Sequence, residues 1–157
     1  MVVVLGFCLS APLPAFSQPP FDAKQLANYR LSLPVFKRFA HATRLLAPVL
    51  RSDPSYQQDP LFSKEISVAG DAVEMATALR ERLDGDAALA AALFAADISA
   101  HEYATFALAL LAARLAHGFM DSGVLRRVPP GVAADNVGFV RDHLADIRRA
   151  LAQLGLE

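Results

Sequence analysis

The sequence predicts an all-α fold: a single-domain bundle of four main helices with one or two short extra helices. Three observations carry that prediction. Apolar residues recur at three- and four-residue intervals in several separate stretches. Asp, Ser, Pro and Gly stand where those stretches would begin and end. No segment alternates apolar and polar residues over the length a strand would need. At 157 residues, one domain is the expected organisation, and the chain is long enough to bury a core.

The opening run, MVVVLGFCLSAPLPAFSQPP, is apolar from Val2 to Leu9 and then broken by Pro12 and Pro14. Ala15 and Ser17 place small residues where signal peptidase needs them, so residues 1–17 read as a signal peptide and 18–157 as the helical domain. The run is too short and too broken by proline to span a bilayer as a helix. No Lys or Arg follows Met1, so the true start lies upstream or the leader is atypical. A buried N-terminal segment of a cytoplasmic protein and a retained anchor are the alternatives. Cys8 follows Phe7, where a lipoprotein would need a small residue.

Asp22 is suited to cap a short helix over FDAKQLANYR. Ser32 and Pro34 mark a restart, because proline is tolerated in a first turn. From there Val35, Phe36, Phe39, Thr43, Leu46, Val49 and Leu50 keep helical spacing, with Lys37, Arg38 and Arg44 on the far side. SDPSYQQDPLFSKE, with two Asp-Pro pairs, reads as a long surface loop.

A second helix is predicted from Glu65 or Asp71 to Leu83, with Val68, Ala72, Met75, Leu79 and Leu83 inward and Glu74, Arg80 and Glu81 outward. Asp84-Gly85-Asp86 ends it, and Asp86 caps the alanine-rich piece AALAAALFAAD. Ser99 and Glu102 form a predicted capping box: Ser99 accepts the third helical amide and Glu102 reaches back to the cap amide. The helix it launches is the most apolar, with Phe106, Leu110, Ala113, His117 and Met120 on one face and Gly123 at its end. Arg114 interrupts it, which favours a buried central helix over a membrane span. After Pro129-Pro130-Gly131 a last helix opens at Ala134 or Asp135, with Val137, Val140, Leu144, Ile147, Leu151 and Leu154 in register. Asp142 and Asp146 are placed to pair with neighbouring arginines.

Composition excludes several functions. The 15 basic and 16 acidic residues leave a net charge of −1, so the overall balance draws the chain neither to nucleic acid nor to an anionic membrane. The single cysteine lies in the leader, which removes disulfides, thiolate chemistry and zinc knuckles from the mature domain. There is no glycine-rich phosphate loop and no nucleophile elbow. Glu-x-x-His and His-x-x-x-His, the metal spacings of helical bundles, are also absent. His101 and His117 are about 160° apart around one helix axis and cannot share a ligand.

What remains are weaker constellations. His117, Met120 and His143 could meet inside a bundle and hold a small ligand or a haem. Arg126 and Arg127, and Arg148 and Arg149, could form a small basic patch, either a solvated surface or a site for an acidic partner or lipid headgroups. Tyr56 and Phe62, apolar residues in the long loop, either fold back on the body or mark a contact.

Through Ile98-Ser-Ala-His-Glu-Tyr103 and Gly131-Val-Ala-Ala-Asp-Asn-Val-Gly-Phe-Val140, the last 70 residues or so resemble small exported bacterial helical proteins of uncharacterised activity. The resemblance implies an exported all-helical fold and no activity. The expectation is a periplasmic or secreted, non-enzymatic protein without a cofactor, binding a protein partner, possessing no nucleic-acid site, and meeting a membrane only indirectly or through a retained leader. A small-ligand or haem-binding bundle is the alternative.

Overall fold

The structure, a computed structural model, describes residues 20–59, 61 and 71–154. Every regular element among them is helical. The leader with Cys8, and Phe62, Glu65 and Val68, lie outside the described residues. Asp22 opens α1 (Ala23–Asn28), its carboxylate accepting the Lys24 amide at 2.9 Å.

The second helix, α2 (Leu33–Ser52), carries Pro34 in its first turn and buries Phe36, Phe39, Thr43 and Leu46, as their spacing predicts. It also runs through Pro48, which lacks the amide that would bond the Arg44 carbonyl. Pro48 and Arg44 are both exposed, so water can satisfy that carbonyl and the helix persists.

The expected long surface loop begins instead with a helical turn, α3 (Pro54–Gln57). Asp53 caps it by accepting the Ser55 amide at 2.8 Å, and Pro54 occupies the first helical position. The turn drives Tyr56 into the core.

Asp71 caps α4 (Ala72–Gly85) through the Val73 amide at 2.7 Å. Its inward face is rotated from the expected one. Ala76, Leu79 and Leu83 are buried, Met75 is half-buried and Ala72 is exposed. Arg80, expected on the outside, lies over the Phe21 ring at 5.5 Å. The aliphatic part of an arginine packs well while its head stays wet, so a charge pattern alone misplaces it.

Asp86 opens α5 (Ala87–Ala95) by accepting the Ala88 and Leu89 amides. This helix ends in a tight cap. Asp97 adopts φ 54, the Ile98 amide bonds the Leu93 carbonyl and the Asp97 amide bonds that of Phe94. These are the paired bonds of a Schellman turn, with Leu93 and Ile98 both buried beside it.

The central helix is α6 (Ala100–Asp121). Ser99 accepts the Glu102 amide at 3.0 Å, but the other half of the expected capping box is replaced. The Glu102 carboxylate bonds Arg38 at 2.7 Å, where a cationic donor outbids a neutral amide. Among the described residues, α6 alone is long and apolar enough to cross a membrane by length and composition. Here it is the core helix, packed against α1, α2, α4 and the later helix of Ala134–Asp142.

Gly123, at φ 78, ends α6, and Gly131, at φ 83, supplies the left-handed residue of a Pro129–Val132 turn closed by a 3.3 Å bond. The predicted last helix is two pieces, α7 (Ala134–Asp142) and α8 (Leu144–Ala152), parted at His143 with φ −120 and ψ 19. The apolar register survives the break: Val137, Val140, Ile147 and Leu151 are buried. The bend lets α7 pack on α6 while α8 packs on α2. Asp142 and Asp146 pair locally, with Arg141 at 2.9 Å and Arg149 at 3.2 Å.

Aromatic side chains tie α2 to α6. Phe39 stacks on Tyr103 at 4.7 Å and meets Phe106 at 4.9 Å, and Phe36 contacts Phe106 at 6.3 Å. Phe106 is fully buried, so truncating it to Ala costs about 3–5 kcal/mol.

Candidate functional site

The polar groups of the core come in small sets, each tied to a packing task. Between α2 and α6 the Thr43 and Tyr103 hydroxyls share a hydrogen bond of 3.1 Å. Burial pushes the Tyr103 phenol up to about 12, the Thr43 hydroxyl opposing it slightly. Tyr29 is likewise pushed up to about 12 by burial first and by the Glu102 charge second, against Arg38.

A second set closes the joint between α1 and α2. Asn136, in the first turn of α7, is buried. Its Oδ1 accepts the Leu31 amide and its Nδ2 donates to the Tyr29 carbonyl, each at 2.9 Å. A side-chain amide thus replaces the backbone partner that a loop would otherwise leave missing. The sequence offered one clue to it: a polar residue directly beside Val137 at the head of an apolar register.

The third set lies where α2 meets the α5–α6 corner. Arg38 donates to the Asp97 carbonyl at 2.8 Å as well as to Glu102. The fourth joins α3 to α4 and α5. The Tyr56 hydroxyl donates to the Asp86 carboxylate in a short bond, and the Arg82 guanidinium lies over the Tyr56 ring at 4.7 Å and bonds Asp59 at 3.2 Å. Donation by Tyr56, then by the Leu89 amide, holds the Asp86 carboxyl below its ordinary range. Tyr56 therefore belongs to the body of the protein, the first of its two predicted roles.

His101 forms a fifth set. Its ring stacks on Phe21 at 4.2 Å and 9°. Its Nδ1 is buried and has no hydrogen-bond partner among the described residues. Burial, then the Arg80 charge, lowers its pKa from 6.5, with Asp84 opposing.

His117 and Met120 are half-buried in the last turns of α6, and His143 is half-buried at the α7–α8 joint. The His143 ring packs against Phe139 at 4.6 Å. Among the described residues no hydrogen bond or ring contact joins it to His117, and no three His, Cys, Asp or Glu side chains gather as metal ligands. A cavity of about 230 Å³ opens elsewhere, between α1, α4, α6 and α7, lined by Leu26, Val73, Leu108, Ala112 and Asn136 among others.

Among the described residues Leu33, Phe94, Phe119 and Val124 are exposed large apolar side chains, and the last three fall on two features. The outward positions of α5 are Ala87, Ala88, Ala91, Phe94 and Ala95, and Phe94 is 88% exposed. Asp84 and Asp97, both exposed, stand at its two ends. The second feature is the last turn of α6 with the segment after it, where Phe119 and Val124 are exposed and Arg126 and Arg127 follow. Sequence periodicity did not single out Phe94 or Phe119, because each sits in a helix whose inward face is chosen by its neighbours.

No family model matches the chain, and neither a curated protein nor a solved structure does.

Proposed function

We propose that the chain is an exported, non-enzymatic helical protein that acts by contact with a protein partner, as an accessory subunit of a membrane complex. Its bundle is built on α2, α4, α6 and the bent α7–α8 unit, with α1, α3 and α5 as short additions. The observation that carries the reading is Phe94, 88% exposed on a helix with no polar side chain. Exposed aromatics on a featureless apolar face mark contact sites, where tyrosine, tryptophan and phenylalanine are enriched. The polar sets around Asn136, Tyr103, Arg38 and Asp86 are taken up in packing, and among the described residues these sets aim no nucleophile and base at a common point. The partner that fits is an apolar protein helix with Lys or Arg at its edges, because Asp84 and Asp97 flank the α5 face. Those carboxylates would repel one another across a dimer of this chain.

A photo-crosslinking residue at position 94, in cells, tests this. The expected adduct joins position 94 to one protein, through a peptide whose apolar run is flanked by Lys or Arg. It weakens when Asp84 and Asp97 are both changed to Lys. An adduct with a second copy of this chain, or none, overturns the reading. Export is tested by the mature N-terminus, expected after Ser17 in a periplasmic or secreted fraction. The small-ligand alternative has only the cavity behind it, and its lining includes none of His117, Met120 and His143.

A further inference from the structure

A different surface carries a second contact. We infer that the turn between α6 and α7 docks on an anionic lipid surface, with Phe119 and Val124 entering the interface and Arg126 and Arg127 meeting the headgroups. Phe119 is 48% exposed and Val124 is 70% exposed. They are brought together by the backbone: the Leu125 amide bonds the Phe119 carbonyl at 2.9 Å, folding the chain back on the end of α6. Gly123 makes that fold possible, since φ 78 is strained for any residue with a β-carbon.

The charges fit one kind of partner. Arg126 and Arg127 are exposed, and among the described residues neither has a carboxylate partner. The whole chain carries −1 and has no overall pull toward an anionic membrane, but from Phe119 to Gly131 the only carboxylate is Asp121, so two arginines against one aspartate leave this segment at +1. Unpaired arginines beside apolar tips are the pattern of a peripheral membrane contact: the tips leave water and the guanidiniums stay at headgroup level. Two side chains on one turn are too small a patch for a stable protein interface, which needs roughly 800 Å² on each side. A second copy would set arginine against arginine. The α5 face, rimmed by Asp84 and Asp97, would be repelled by the same lipid, so the two exposed apolar features suit different partners. The turn is also ordered in advance by Pro129 and Pro130 and by the Leu125–Phe119 and Pro129–Val132 bonds, which lowers the entropy lost on docking.

The test is co-sedimentation of the full chain with phosphatidylcholine vesicles, with and without phosphatidylglycerol as about a third of the lipid. Binding is expected only with phosphatidylglycerol and should fall as salt rises. Changing Arg126 and Arg127 to Gln lowers the partition coefficient by about fivefold per arginine, while changing both to Lys preserves it. Phe119→Ser and Val124→Ser weaken binding at unchanged charge. All four side chains changed are exposed, each variant is judged against wild-type thermal unfolding, and any contribution of residues 1–19 is common to every variant. Equal binding to both vesicle types, no binding, or indifference to the Gln and Ser variants overturns the inference. So does capture of soluble polyglutamate in place of vesicles, which would assign the arginines to an acidic protein. Vesicle binding and adducts at position 94 are separate readouts, so either proposal can fail without the other.

Discussion

Asn136 accepts the Leu31 amide at 2.9 Å across 105 residues of chain, while its amide nitrogen donates to the Tyr29 carbonyl. Two backbone groups of the α1–α2 joint therefore depend on one side chain. Asn136→Ala leaves both without their partner and is expected to cost about 2–3 kcal/mol. Asn136→Asp keeps the acceptor but sets a carboxylate against a carbonyl, and should be no better. Urea midpoints of the two variants against wild type check both statements.

The burial of Tyr103 makes stability fall at high pH, with the Thr43 hydroxyl opposing the shift. An unfolded tyrosine ionises near its ordinary 10.0, whereas folded Tyr103 holds its proton until about 12. Stability from this group is complete below 10.0 and is lost as the pH rises toward 12, by about 2–3 kcal/mol. Tyr29 adds a loss in the same direction. Tyr103→Phe should flatten the alkaline limb of a denaturation-midpoint profile. It should also cost about 1 kcal/mol at neutral pH, a loss reduced when Thr43→Val removes the stranded hydroxyl.

At the end of α5, Asp97 holds φ 54, a conformation that glycine adopts without strain. Its contact with Arg38 uses the backbone carbonyl, so the fold does not need the side chain. Asp97→Gly should stabilise the protein by about 0.5–1 kcal/mol and Asp97→Ala should destabilise it by a similar amount. Thermal unfolding of both variants reads the sign directly.

His101 gives the protein an acid-side sensitivity. Its folded pKa lies below 6.5, so as the pH drops past 6.5 the unfolded chain takes up the proton first. The stability this group contributes is present above 6.5 and is lost as the pH falls. His101→Phe keeps a ring against Phe21 and removes the buried, unpartnered Nδ1. The variant should unfold later than wild type, and the gap should widen below pH 6.5.

Local patterns were legible in the sequence where local physics decides. The inward face of α2, the caps at Asp22, Asp86 and Ser99, the stop at Gly123 and the register from Val137 to Leu151 all follow from spacing and from residues within one turn. What was hidden is non-local. Glu102 was expected to close its own cap, but Arg38, 64 residues away, is the stronger partner. The rotation of α4 was invisible because Ala72 and Ala76 are the same residue type and only packing on α6 distinguishes them. The break at His143 leaves the apolar register intact, so periodicity could not reveal it. Asn136 and the His101–Phe21 stack join segments far apart in the chain. For the candidate surfaces, Arg126 and Arg127 could be read from charge, whereas Phe94, Phe119 and Val124 became visible only once each helix had an outside.

The separation between Asn136 and the residues it holds also sets an order of events. A ribosome delivers Tyr29 and Leu31 early and Asn136 only after more than a hundred further residues. Until then the carbonyl and amide it will satisfy stay hydrated, and α1 has no latch. The nascent chain therefore remains openable for most of its synthesis, and the latch forms only after α7 has emerged.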